Sequence, residues 1–261
     1  MVFLLKTYIC SVKHIYINVQ KIISYPLSVI FLVCFLICLL VFHPIQWLCL
    51  KLSGYQAHKK SVDYLNFLLL KCTHILGTTY VVKNKEVVPD NVPIIFVVNH
   101  QSMFDIPCII WNYRTAHPKF VSKKELGKGI PSISFNLRHG GSVLIDRKDS
   151  KQALSAIKEL GLYIQKYRRA AVIFPEGTRS RDGKPKRFSE NGMKILCKYA
   201  PDAVVIPITI NNSWKLLRFG KFPLGLGNRI EVITHAPVVI RDYTFDQLFE
   251  QVENTIKRAI K

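Results

Sequence analysis

Two residues five positions apart, His100 and Asp105, follow directly on an apolar run at 94–98. A strand ending there leaves His100 in a strand-to-helix turn and places Asp105 on the first turn of a helix that starts near Ser102. The carboxylate can then accept the imidazole N–H and hold the other ring nitrogen as a general base of raised basicity. No serine nucleophile is needed when the hydroxyl to be activated belongs to the substrate. The same spacing has a plainer reading, in which Ser102-x-x-Asp105 is a capping box and Asp105 only favours the helix N-terminus. His-x4-Asp alone does not choose between them.

A second constellation, Phe174-Pro175-Glu176-Gly177-Thr178-Arg179-Ser180, closes another apolar run at 170–174. Gly177 permits close backbone approach, and Thr178 and Arg179 offer donors suited to a phosphate. The alternative is an ordinary turn with Glu176 and Arg179 as a surface pair, which the apolar Phe-Pro entry disfavours.

These residues need elements to position them. The β-rich runs predict strands at 94–98, 119–121, 142–145, 170–174, 204–210 and 229–233, with helices at 104–112, 150–166 and 190–199. A last helix starts at the capping box Thr244-x-x-Gln247 and carries Phe245, Leu248, Phe249, Val252 and Ile256 on one face. Strands alternating with helices predict an α/β domain, its sheet largely parallel or mixed and flanked by helices, with ligands beyond the carboxyl ends of the strands.

The N-terminal region is of another kind. Residues 22–50 carry no formal charge, and 27–42 are apolar except for Ser28. As a straight helix this stretch would run ~43 Å against a hydrocarbon core of ~30 Å. Pro26 and Pro44 are expected to interrupt it and leave about 17 unbroken residues, so a tilted span and a re-entrant or hairpin anchor both fit. Lys6, Lys13 and Lys21 precede the segment and Lys51, Lys59 and Lys60 follow it, which gives no orientation. A second apolar patch at 61–76 reads as a helix against the bilayer or the catalytic domain, with plain core packing as the alternative. The expected division is an N-terminal membrane-anchoring helical region, 1–80, and an α/β domain, 81–261.

With 261 residues, 49% of them hydrophobic, the chain can bury a substantial core, which excludes a disordered protein. Its net charge of +20 admits nucleic acid, anionic lipid or phosphorylated substrates as partners. Most of the surplus lies at 115–200, where 19 Lys and Arg face 7 Asp and Glu. Seven cysteines without a C-x-x-C, and without zinc-like Cys/His spacing, imply a reduced, cytosol-facing domain and no metal site. Asn211-Asn212-Ser213 is formally a glycosylation acceptor that we read as chance. Gly-x-Ser-x-Gly, His-Glu-x-x-His and P-loop motifs are absent, which removes serine hydrolase, zincin and P-loop readings.

Four blocks in order, from about Val92 to Ile210, give the chain a specific likeness. It resembles the glycerophospholipid acyltransferase family, most closely the bacterial 1-acyl-sn-glycerol-3-phosphate acyltransferases. His100 and Asp105 fit the family's His-x4-Asp motif, and Gly141-Ser142-Val143-Leu144-Ile145-Asp146-Arg147 is similar to its second block. Phe174 to Ser180 fits the third, and Val205-Ile206-Pro207-Ile208 the proline-containing fourth. The resemblance implies that His100 is the base and Asp105 its orienting partner, and that Arg147, Glu176, Gly177 and Arg179 help hold a glycerol phosphate, with Thr178 in the same loop. Lys123-Lys124-Glu125-Leu126 is similar to a further segment whose lysine contacts the phosphate, without showing which lysine is equivalent. Arg147 paired with Asp149, and Pro207 as a strand-edge or bulge residue, are the plainer alternatives.

The resemblance implies transfer of a fatty acyl chain from an acyl thioester, acyl-CoA or acyl-acyl carrier protein, to the sn-2 hydroxyl of lysophosphatidate, giving phosphatidate. A thioester is already activated, so no metal or other cofactor is expected. The expected location is the membrane, with the catalytic domain on the cytoplasmic face of the inner membrane, and no nucleic acid partner is expected. Acylation of glycerol 3-phosphate or another lysophospholipid is the alternative within this chemistry. A non-catalytic basic membrane protein that binds anionic lipid or nucleic acid is the alternative outside it.

Overall fold

The computed structural model describes the backbone of residues 2–261 and the side chains from Ile17 onward; those of Lys6, Cys10 and Lys13 lie outside the described residues. Strand β2 (Ile94–Val98) is at the centre and buried throughout. Because successive side chains point to opposite faces, Ile94, Phe96 and Val98 join one hydrophobic cluster while Ile95 and Val97 join another. The first cluster is covered by helices α1 (Val2–Cys72) and α2 (Asp105–Asn112). The second is covered by α4 (Ser150–Tyr167), α5 (Glu190–Tyr199) and α6 (Phe245–Ala259). A short α3 (Ile133–His139) packs near the sheet edge.

The other strands are β1 (Thr79–Lys83), β3 (Lys119–Lys123), β4 (Val143–Ile145), β5 (Ala170–Ile173), β6 (Val204–Asn211), β7 (Arg229–Thr234) and β8 (Val238–Val239). They order as β1-β7-β6-β2-β5-β3-β4, with β8 pairing β6. Every neighbouring pair is parallel except β6 with β7 and β6 with β8, so the sheet is mixed as expected. Pro207 stands on β6 between the stretch paired to β8 (Val204, Val205) and the stretch paired to β7 (from Ile208). A residue without an N–H fits there, where one partner strand gives way to the next, and its carbonyl accepts from His235 N at 3.0 Å. The capping box at Thr244 and Gln247 forms.

Three elements were not anticipated from the sequence: β1, β8 and α3. Each is short, and β1 is only half-buried, so neither length nor alternation distinguishes it from loop.

The anchor segment departs from expectation. Pro26 and Pro44 lie inside α1 without ending it, and the break falls at Gly54, whose φ of 71° and ψ of −161° are non-helical. A Cβ there would meet nothing within 4 Å, so the backbone conformation, not crowding, calls for glycine. Before the break, Ser24, Ser28, Phe31, Leu39 and Gln46 are buried at helical spacing, so one face of α1 lies along the domain. Tyr25 packs edge-on against Phe222, Phe31 and Phe35 pack edge-on against Phe104, and Ser132 donates to the Leu39 carbonyl at 2.6 Å. Ser28 is the acceptor for Leu224 N at 2.8 Å. The opposite face leaves Ile23, Ile30, Val33, Ile37, Leu40 and Trp47 exposed. After the break, Val62, Leu65, Leu69, Leu70 and Leu76 are buried, so core packing accounts for the 61–76 patch.

Phe31→Ala should open a cavity in the main cluster and cost ~3–5 kcal/mol, whereas Ile30→Ala on the outward face should change stability by no more than ~0.5 kcal/mol. Thermal melting of the two variants in detergent measures the contrast, and equal losses would contradict the one-sided packing of α1.

Candidate active site

Asp105 is 1% exposed and its carboxylate collects four donors. Oδ2 lies 2.9 Å from His100 Nδ1 and accepts Gln101 N at 2.8 Å and Ser102 N at 2.9 Å; Oδ1 accepts the Ser213 hydroxyl at 2.5 Å. Full hydrogen bonding offsets the cost of burying such a group. The two readings of His-x4-Asp therefore merge: the carboxylate orders the turn and orients the imidazole at once. The capping box itself does not form. Ser102 Oγ takes Phe104 N at 3.1 Å, and α2 starts at Asp105.

His100 keeps 17% of its side chain exposed and stacks on Phe174, with ring centroids 4.1 Å apart. With Nδ1–H donated to the carboxylate, Nε2 is the ring nitrogen left to accept a proton. Its backbone is clamped on both sides: His100 N donates to Glu176 Oε1 at 2.8 Å, and Ser180 N donates to His100 O at 2.7 Å. Glu176 Oε2 accepts Lys186 N at 3.1 Å. Burial pushes the Glu176 carboxyl up from its ordinary pKa, against the pull of these two backbone bonds. Glu176 is therefore a buried tie between the loop and the histidine turn, not one half of a surface pair with Arg179.

Gly177 has a φ of 66° with open space where a Cβ would stand, and with Thr178, Arg147, Ser150 and Asn191 it borders an open groove of about 410 Å³. Arg179 is exposed beside it. Partial burial pulls the Arg147 pKa down, with Glu125 raising it and Arg179 lowering it, which places the three charges within electrostatic reach of one another. Asp149 does not pair with Arg147; its Oδ1 caps α4 by accepting Gln152 N at 3.0 Å. Lys123 lies in register with Ile145 at the carboxyl end of β3, and Lys124 follows it, both exposed. The ends of the parallel strands β2, β3, β4 and β5 thus gather His100, Lys123, Lys124, Arg147 and the 174–180 loop on one side of the sheet.

Several supporting residues were missed from the sequence. Ser213 reaches Asp105 from the turn after β6, and Gln101 Oε1 holds Ser213 N at 3.1 Å. Asn99 pairs both ways with the Ile210 backbone, at 2.7 and 2.8 Å, which fixes β2 to β6. Lys186 Nζ donates to Thr178 Oγ1 at 2.7 Å and to Arg179 O at 2.9 Å. Only Asn99 and Gln101, which flank His100, carried a local signal. Asn211 is buried and bonded to Ala259 O and Lys261 N, which agrees with reading its tripeptide as chance.

The acyltransferase family model matches residues 79–211. The chain belongs to the acyltransferase family. A Helicobacter pylori 1-acyl-sn-glycerol-3-phosphate acyltransferase is 36% identical over 124 residues, covering 46% of this chain and 51% of that protein. A chloroplastic 1-acyl-sn-glycerol-3-phosphate acyltransferase of Arabidopsis thaliana is 29% identical over 146 residues, covering 56% of this chain and 39% of that protein. The chain's matches span between 38% and 60% of the length of such curated acyltransferases. The crystal structure of the 1-acyl-sn-glycerophosphate acyltransferase PlsC from Thermotoga maritima superposes with a TM-score of 0.76 at 24% identity, over 92% of this chain and 95% of that one. That likeness is one of fold, and at 92% coverage it takes in most of the long N-terminal helix of this acyltransferase chain.

Hydrogen bonds to charged groups are worth about 1.5–3 kcal/mol, so Ser213→Ala should lower the melting temperature by about 4–10 °C. Ser213→Thr keeps the hydroxyl and should recover most of it. Equal melting of wild type and Ser213→Ala would detach Ser213 from the carboxylate.

Proposed function

We propose that this chain transfers a fatty acyl group from an acyl thioester to the sn-2 hydroxyl of 1-acyl-sn-glycerol 3-phosphate, giving phosphatidate in phospholipid biosynthesis. The observation that carries the reading is the His100 to Asp105 pair, held at 2.9 Å at the carboxyl ends of the strands and clamped to a loop that borders a groove whose lining includes Arg147. The names of the curated relatives support the choice of acceptor.

In this reading His100 Nε2 takes the acceptor hydroxyl proton as its oxygen attacks the thioester carbonyl, and Asp105 stabilises the imidazolium. The proton passes to the departing thiolate, and the acyl C–S bond is exchanged for a C–O bond. Arg147, Arg179 and one of Lys123 and Lys124 hold the phosphate, with Arg suited to a bidentate grip. Gly177 keeps the loop backbone open to the ligand, Thr178 offers a hydroxyl, and Glu176 fixes the loop. The donor is acyl-CoA or acyl-acyl carrier protein, and the activated thioester requires no further cofactor.

In this reading residues 1–80 supply the anchoring region and 81–261 the catalytic domain, with the stretch from Val62 to Leu76 and the first residues of β1 packed into that domain's core and sheet. Buried positions from Ser24 to Gln46 run ~33 Å along α1. A helix matched by protein along that length suits a segment lying in the membrane interface, with its outward apolar face in lipid, better than a free-standing span. The cysteine usage supports a reducing, cytoplasmic face of the inner membrane.

The test is acylation of labelled lysophosphatidate by the purified full chain, with glycerol 3-phosphate and both donor types in parallel. His100→Ala should lower turnover by ~10²–10⁴-fold while the protein stays folded; near-normal turnover would remove the mechanism. Arg179→Ala should raise the KM for lysophosphatidate far more than that for the donor, and Arg179→Lys should rescue only partly. Ile30→Lys combined with Ile37→Lys should weaken vesicle flotation without lowering the melting temperature. Flotation equal to wild type would put the membrane contact elsewhere.

A further inference from the structure

At the opposite end of the sheet from the histidine, the first residues of β3 meet the part of α1 that follows the Gly54 break. A small cavity of about 20 Å³ lies there, bordered by Tyr55, His58, Lys59, His117, Lys119 and Ser142. His58 is 0% exposed, and both of its ring nitrogens lack a hydrogen-bond partner among the described residues. Lys119 is 6% exposed. Buried polar atoms are almost always satisfied, so an unpartnered imidazole facing a cavity points to a guest.

The charges around the cavity say which guest. Lys59 donates to Asp63 and to Arg114 O, both at 2.5 Å, which uses the one carboxylate that lines the site. Lys119 and Arg169 remain: their cationic ends lie 5.0 and 4.0 Å from the Tyr55 ring, Arg169 donates to the Tyr163 hydroxyl, and neither forms an ion pair among the described residues. Tyr55 is taken up by His117 Nδ1 at 3.0 Å. Burial and the charge of Lys119 push His58 down to about 4, so near neutral pH its ring brings one N–H donor and no charge. Ser142 Oγ already accepts Phe120 N at 3.1 Å, which leaves its O–H to donate. Donors and positive charge therefore converge on a space of atomic size. A site needs roughly 10–15 Å³ to hold one water, so there is no room for a carboxylate or phosphate. A water would satisfy His58 but leave the buried Lys119 ammonium with no counter-charge of its own, since Asp63, the carboxylate within its electrostatic reach, is already paired with Lys59.

We propose that this cavity binds a single monatomic anion, chloride under ordinary conditions, held by His58, Lys119 and Ser142. The anion joins α1 beyond its break to the base of the sheet, and it is independent of the acyl-transfer reading. The titration behaviour of the site agrees. Burial, then Arg169 and Lys59, push Lys119 down to about 7, opposed by Asp63. Without an anion, a lysine whose folded-state pKa is depressed makes the protein gain stability as pH rises above about 7, because the unfolded chain still holds the proton. A bound anion favours the charged lysine, so its stabilising effect is full below pH 7 and fades above it. His117, also pushed down, to about 4, stays neutral across this window; Lys59, Asp63, Arg169 and His139 are the other ionisable groups within electrostatic reach of Lys119 or His58.

The experiment is thermal melting of the full chain in non-ionic detergent, in sodium chloride, bromide or gluconate at equal ionic strength. At pH 6 the halides should raise the melting temperature of wild type by about 2–4 °C in a saturable manner, with a smaller effect at pH 9. Lys119→Met should abolish the halide effect. Bromide-soaked crystals of the wild type should show an anomalous peak within hydrogen-bond reach of His58 and Lys119, a readout that needs no variant to fold. Identical melting in halide and gluconate, the same halide rise in Lys119→Met, or bromide only at the protein surface would each overturn the proposal.

Discussion

The buried Asp105 carboxylate governs the arrangement around it. An acceptor with 1% exposure must find its donors inside the protein. They come from His100, Gln101 and Ser102 at the end of β2 and from Ser213 beyond the end of β6. Bringing Ser213 there requires β6 beside β2, although more than a hundred residues separate them, and the reciprocal bonds between Asn99 and Ile210 secure that junction. On the other flank β5 must end level with β2, so that Glu176 can reach His100 N. The three central strands are thus placed by the same few polar groups that orient the imidazole.

What the sequence discloses follows from how local each feature is. β2, β5 and β6 are legible because both faces are buried, which leaves nearly unbroken apolar runs. The His100 to Asp105 contact is legible because it spans a single turn. Ser213 was invisible, since its partner is set by the strand order and a serine in a turn is unremarkable by composition. Glu176 was visible as a residue but not in its orientation: two backbone N–H groups, one of them 76 positions away, turn it inward. Pro26 and Pro44 misled for a related reason. A proline removes one helical hydrogen bond, but here the segment is supported by the domain along one face, while the real break falls at a glycine with positive φ.

The same balance of local and distant contacts makes the apolar segment part of the folded domain and not a tether. Phe31 and Phe35 pack edge-on against Phe104, the residue immediately before Asp105, so the inner face of α1 forms one wall of the turn that carries the dyad. Ser28, the one polar residue in its most apolar stretch, accepts Leu224 N and holds the helix in register with the loop before β7. The outer face needs no such precision, and there the side chains are mostly aliphatic, with Trp47 near its end. An acceptor with a fatty chain would lose about 0.8 kcal/mol for each CH₂ drawn into water, so an active site that lets the chain remain in the bilayer must stand at a fixed height above it. A flexible tether would leave that height undefined. Under the proposed acyl transfer at a membrane, a helix that buries one face against the turn carrying His100 and turns its apolar face to lipid would set the depth of His100 by packing, within the few ångströms that side-chain contacts allow.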